Sequence, residues 1–219
     1  MSPRGRRLLP WAGVVAMLLL VSGMVLAVLG SRLPATYSAM DMGYADPGGG
    51  PTAGHHGAHG RSVDELVGDR DAVPDVRYTL TVRRERTVLA DGTEIDAYTV
   101  NGRTPGPTIE AAAGQLVEVV LRNEGVAGGA TLHWHGLDVP NGEDGVAGVT
   151  QDAVPPGAFH TYRFRADQVG TFWYHSHQIS HEQVVGGLLG PVVIRPPGPT
   201  PPREGRGTAD VVAPVHTYE

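Results

Sequence analysis

The sequence predicts an all-β domain of Greek-key sandwich or barrel type, carried behind one N-terminal apolar helix and a flexible tether. Three observations predict it. Tyr78, Leu80 and Val82 alternate with polar residues, the two-residue period of a half-buried strand. Turn formers such as Asp91-Gly92, Asn101-Gly102, Pro105-Gly106-Pro107, Asn141-Gly142 and Pro155-Pro156-Gly157 divide the chain beyond Val82 into short runs. Glycine and proline supply 31 and 18 of the 219 residues, too much punctuation for a helical bundle.

In chain order, Arg4, Arg6 and Arg7 precede an apolar run over 8–30. A bilayer core is spanned by about 20 such residues, and a secretory signal has a shorter apolar stretch. The expectation is an uncleaved transmembrane signal anchor over 1–30, with a cleaved signal as the alternative. In both cases the arginines stay cytoplasmic and everything after Ser31 is exported. Residues 31–73 read as a flexible linker, because the Gly/Pro-rich stretch 46–54 holds neither helix nor strand. The linker contains Met40, Met42, His55, His56 and His59. Thioethers and imidazoles suit copper, so two readings stand, a copper-collecting tail and a solvated tether.

The β domain is expected over 74–198, with strands at 78–82, 97–100, 116–122, 130–135, 159–165, 170–177 and 190–195, and a single helical turn within 180–187. Residues 196–207 read as an exit linker, and 209–215 as a further strand. The block 199–219 is therefore expected to be a linker and the start of a second domain, the chain being the front portion of something longer.

Composition excludes several function classes. Lysine and arginine number 17 against 23 acidic residues, a net charge of −6. Without a basic run in the folded part, nucleic acid is not an expected partner. Cysteine is absent, which removes disulfides, thiolate metal sites, cysteine nucleophiles and iron–sulfur clusters. The histidines number 10 and are clustered.

Two His-x-His pairs carry the chemistry, His133-Trp134-His135-Gly136 and His175-Ser176-His177. Both fall at expected strand ends. Residues i and i+2 of a strand share a face, so each pair aims two imidazoles the same way. On neighbouring strands the four converge. Neutral imidazole is the commonest metal-ligating side chain, and an all-nitrogen set favours copper or zinc over magnesium or calcium. A closed tetrahedral four-histidine zinc site would be structural.

From Arg77 to Pro197 the chain resembles the N-terminal plastocyanin-like (cupredoxin, type 3) domain of multicopper oxidases, the laccase group. The resemblance is carried by the blocks 101–109, Thr131-Leu132-His133-Trp134-His135-Gly136, Asp144-Gly145 with Val149-Thr150-Gln151 and Pro155-Pro156-Gly157, 170–177, and Gly187-Leu188-Leu189-Gly190-Pro191. It implies that His133 binds the type 2 copper and that His135, His175 and His177 bind the paired type 3 coppers. It further implies that Asp144 lies beside the cluster and assists proton delivery during O2 reduction. Glu143 adjoins Asp144, and the sequence leaves open a swap of their roles. The family's cluster uses eight histidines, half from a second cupredoxin domain that also holds the cysteine-ligated type 1 copper. This chain has neither that cysteine nor the other four histidines, and so carries half of an active site.

Two functions are consistent with these features. One is the N-terminal portion of a membrane-anchored, laccase-like oxidase facing outward, whose partners are copper, O2 and a second cupredoxin domain. The other is a stand-alone copper-binding or buffering module outside the cytoplasm. The remaining histidines carry less. His181 is either beside the cluster or on a surface turn, His160 is structural, and His216 has no assigned role. Trp134, Phe172, Trp173 and Tyr174 are expected to pack and shield the cluster.

Overall fold

The structure is a computed structural model that describes residues 5–30, 63–198 and 211–218, with side chains given from 13 to 29 in the first stretch. The chain divides into two units, 1–39 and 40–219. The first contains helix α1 (Gly5–Gly30). Its described side chains are all exposed, among them Met17, Leu18, Leu19, Leu20 and Leu26. Among the described residues no helix is long and apolar enough to cross a membrane, so the expected spanning helix is not shown. The Met40–His59 ligand tract lies outside the described residues.

The second unit is built of β1 (Val76–Val88), β2 (Glu94–Val100), β3 (Ile109–Ala112), β4 (Leu116–Asn123), β5 (His133–His135), β6 (Phe159–Arg165), β7 (Gly170–His175) and β8 (Leu189–Arg195), with one helical turn, α2 (Ser180–Gln183). They form two four-stranded sheets, β2-β1-β4-β6 and β3-β8-β7-β5. In each sheet one pair, β1 with β4 and β3 with β8, is parallel. One core joins the sheets. Leu80, Val82, Val117, Val119, Leu121, Tyr162 and Phe164 come from the first, and Ile109, Trp134, Tyr174, Val192 and Ile194 from the second. Trp134 fills its centre, edge-on to Tyr162 at 5.4 Å and 4.7 Å from Phe164 between ring centroids, the offset geometry that aromatic quadrupoles favour.

Composition alone misses β3, a four-residue strand between two turns. The run expected over 130–135 is a strand only at its end, because Ala130 makes an isolated bridge to Val154. The expected strand at 209–215 is corrected: 211–215 has no regular secondary structure. This tail is held by side chains instead, His216 Nε2 to the Val185 carbonyl and the Tyr218 hydroxyl to Thr104 Oγ1, both 2.9 Å.

Residues 63–73, assigned by composition to the tether, pack on the domain. A 3₁₀ turn over Val63–Glu65 leads to Gly68, where an added Cβ would lie 2.2 Å from the Arg163 carbonyl oxygen. Only glycine permits that approach.

The fold makes two testable demands. Gly145 sits at φ +68°, and a Cβ there would lie 1.9 Å from the Leu132 carbonyl oxygen. Gly145→Ala is expected to lower stability by at least about 1 kcal/mol, read by denaturant titration. The second concerns His160, whose Nε2 is buried without a hydrogen-bond partner. Burial, and secondarily Arg70, pushes its pKa down from 6.5 to about 4. Below pH 6.5 the unfolded chain takes up a proton that the folded chain refuses until about pH 4. Stability contributed above pH 6.5 is thus lost as the pH falls through that window. In thermal melts of metal-free protein, His160→Phe should lose less than the parent between these limits. An equal loss in the two would contradict the assignment.

Candidate metal centre

The site is made by one antiparallel pairing. β5 lies on β7 with His133 opposite His175, Trp134 opposite Tyr174 and His135 opposite Trp173. Directly opposed residues point to the same side of a sheet, and the side alternates along the strand. Trp134 and Tyr174 therefore enter the core, each fully buried, while His133, His135, Trp173 and His175 share the other face. β7 ends at His175, and His177 lies on the loop beyond it, its amide donating to Thr131 Oγ1 at 3.1 Å.

All four expected histidines come together. Ring centroids lie 5.8 Å apart for His133 and His135, 5.3 Å for His133 and His175, 5.4 Å for His133 and His177, and 6.3 Å for His175 and His177. One ligand atom from each of His133, His135 and His175 lies within 4.8 Å of the others. That spacing suits imidazoles converging on a metal, and no carboxylate is among the converging ligand atoms. Trp173 walls the cluster, its ring centroid 4.8 Å from His135 and 4.2 Å from His175. His175 is buried, His133 and His177 are half-buried, and His135 is exposed. One side of the cluster is therefore open.

Hydrogen bonds set the ring orientations. His133 Nδ1 lies 2.9 Å from the Asp144 backbone oxygen and 3.1 Å from its Oδ1. Both are acceptors, so Nδ1 carries the proton and Nε2 presents its lone pair. His175 Nδ1 likewise faces the Ser176 carbonyl oxygen at 2.8 Å, leaving its Nε2 as the ligand atom, 3.3 Å from His135 Nδ1. Burial lowers His133, but the Asp144 side chain and backbone together outweigh it, and its pKa is raised. Burial pushes His175 down to about 4, helped by the neighbouring histidines, and lowers His177. A low pKa keeps these two imidazoles in the neutral form that binds metal.

The two acidic neighbours separate cleanly. Asp144 faces His133. Glu143 turns inward, fully buried, where its Oε1 accepts from the Gly68 amide at 3.2 Å and meets Arg70 Nη2 at 2.6 Å. Its Oε2 accepts from the Arg163 amide at 2.8 Å. Sequence reasoning misses Gly68 and Arg70, which lie 75 and 73 positions upstream of Glu143 in the chain, with no local pattern to mark them. His181, on α2, is exposed. His160 lies on β6 in the other sheet, and His216 bonds to Val185 in the tail. Of the aromatics expected to shield the cluster, Trp173 does so directly, whereas Trp134 and Tyr174 pack in the core beneath it.

The multicopper oxidase family profile matches residues 81–199. The chain is 45% identical over 125 residues to dihydrogeodin oxidase of Aspergillus terreus, covering 56% of this chain and 20% of that protein. To Laccase-1 of Botryotinia fuckeliana it is 42% identical over 127 residues, 57% of this chain and 22% of that one. Its fold is similar to the crystal structure of a multi-copper oxidase from Pseudomonas thermotolerans, with a TM-score of 0.54 and 32% identity over 57% of this chain and 31% of that chain. The chain thus spans about a fifth of the length of the curated relatives it matches. With the family match falling on the domain that holds the four imidazoles, the chain belongs to the multicopper oxidase family.

Proposed function

We propose that this domain supplies half of a three-copper centre, in a laccase-like oxidase held at the outer face of a membrane by its N-terminal segment. The observation that carries the reading is the convergence of His133, His135, His175 and His177 on one face, with the His135 side open. The donor set fits copper, being all imidazole with neutral forms favoured at His175 and His177. In this reading His133 holds the type 2 copper, and His135, His175 and His177 hold the type 3 coppers. Copper bound there supplies the one-electron steps by which O2 takes up four electrons and four protons to give two waters.

The chain's own residues do the rest. Asp144 fixes the tautomer of His133 and stands where a carboxylate can pass a proton toward the open face. Trp173 covers two imidazoles and limits water on that side. The open face is where a second cupredoxin domain would add the remaining ligands. With no cysteine in the sequence, a type 1 copper and the entry of electrons from an organic substrate belong to that second domain.

Export and anchoring rest on the N-terminal arginines and the apolar run. The stand-alone copper-buffering reading draws on the Met/His tract, which lies outside the described residues.

The test is copper binding by equilibrium competition. The parent is expected to bind tightly, and replacing both histidines of either pair by alanine is expected to abolish that binding while the fold persists by circular dichroism. A double variant that binds as the parent does would move the site elsewhere.

A further inference from the structure

Upstream of β1, residues 63–72 are held by more polar contacts than a tether needs. The Gly142 amide donates to the Leu66 carbonyl oxygen at 2.8 Å. A Cβ on Gly142 would lie 2.7 Å from the Asp64 oxygen, so the strap and the 141–145 loop touch backbone to backbone. Asp69 Oδ1 accepts from the amides of Asp71 and Ala72, both 3.0 Å, and turns the chain. Arg163 reaches back to the Arg70 carbonyl oxygen at 2.8 Å and to that of Ala72. Arg70 in turn bonds the Thr161 carbonyl oxygen at 3.2 Å and Glu143 at 2.6 Å.

These contacts meet at Glu143, whose position in the loop matters. Its carbonyl oxygen accepts from Trp134 Nε1 at 2.9 Å, and Trp134 lies between His133 and His135. Its chain neighbour Asp144 holds His133 Nδ1 through both backbone and side chain. A continuous series of bonds thus runs from Arg70 to Glu143, on to Asp144, and from there to the imidazole of His133. A buried carboxylate leaves such a position only at the cost of an unpaired charge, so the loop has one favoured seat while Arg70 is in place.

We propose that Arg70 and Glu143 are positioning residues for the metal centre, and that the strap over 63–72 is part of the machinery that orients His133. The proposal rests on the copper reading for its metal readout, but not for its second one. Removing Arg70 leaves Glu143 short of its cation, loosens Asp144 and frees the His133 ring to exchange tautomers.

The experiment uses the full chain with Arg70→Met, Arg70→Lys and Arg86→Met. Arg86 pairs with Glu94 across β1 and β2, both side chains exposed, so its variant controls for loss of a surface ion pair. Copper(II) affinity is read by competition on loaded protein. The tautomer of His133 is read by nitrogen NMR on metal-free protein. Arg70→Met should weaken copper binding about tenfold to a hundredfold, the range for lost partners of metal ligands. It should also give His133 a second tautomer. Arg70→Lys should restore both, and Arg86→Met should change neither. If Arg70→Met lowers the melting temperature but keeps the parental affinity and a single tautomer, the strap is structural only and the proposal fails. If the parent binds no copper through His133, the copper reading fails, and the tautomer populations still decide the proposal.

Discussion

The register of β5 on β7 is the constraint on which the site depends. With His133 opposite His175, the shared face carries His133, His135, Trp173 and His175, and the other buries Trp134 and Tyr174 in the core. A one-residue slip would drive imidazoles into the core and turn Trp134 toward solvent, since side-chain direction alternates along a strand. The cost of exposing a fully buried tryptophan therefore holds the histidines in place. Core packing and ligand convergence are two consequences of a single pairing, and no separate device is needed to bring two distant stretches of chain together.

A second layer fixes the rings that the register merely places. Two ring bonds are short in sequence, His175 to Ser176 next to it and His133 to Asp144 across the loop that starts at Pro140, while the backbone of His177 is held by its amide on Thr131. Gly145, with φ +68° and its α-carbon against the Leu132 carbonyl, lets that loop pass close enough for Asp144 to reach His133. The open side at His135 is the complement of this order. The strands and loops of this domain bound the cluster on one side, and the family's second domain is proposed to bound it on the other.

Much of this is legible in the sequence, for a physical reason. His-x-His on a strand declares its own geometry through the two-residue period, and the turn residues bracket the strands closely enough to find seven of the eight. The strand over Ile109–Ala112 is hidden because its parallel partner, β8, lies some 80 residues away in sequence. Composition sets the boundary at 73, and composition cannot register that Gly68 and Arg70 meet a buried carboxylate 75 and 73 residues later. The ambiguity between Glu143 and Asp144 has the same origin. Adjacent acidic residues differ only in what faces them, and here one faces the strap and the other an imidazole. The tail at 211–215 shows the opposite failure, an apolar run with strand-like composition held by side-chain contacts instead.

Copper bound by this chain is proposed to sit among the imidazoles of His133, His135 and His175 on β5 and β7 and of His177 just beyond β7. X-ray absorption at the copper edge of the loaded full-length chain tests it most directly. The expected spectrum has nitrogen scatterers with the multiple-scattering pattern of imidazole and no sulfur. The chain has 5 methionines and no cysteine, so a sulfur scatterer at the metal would report a thioether ligand. That result would place the copper in the methionine-bearing N-terminal region and overturn the four-histidine site.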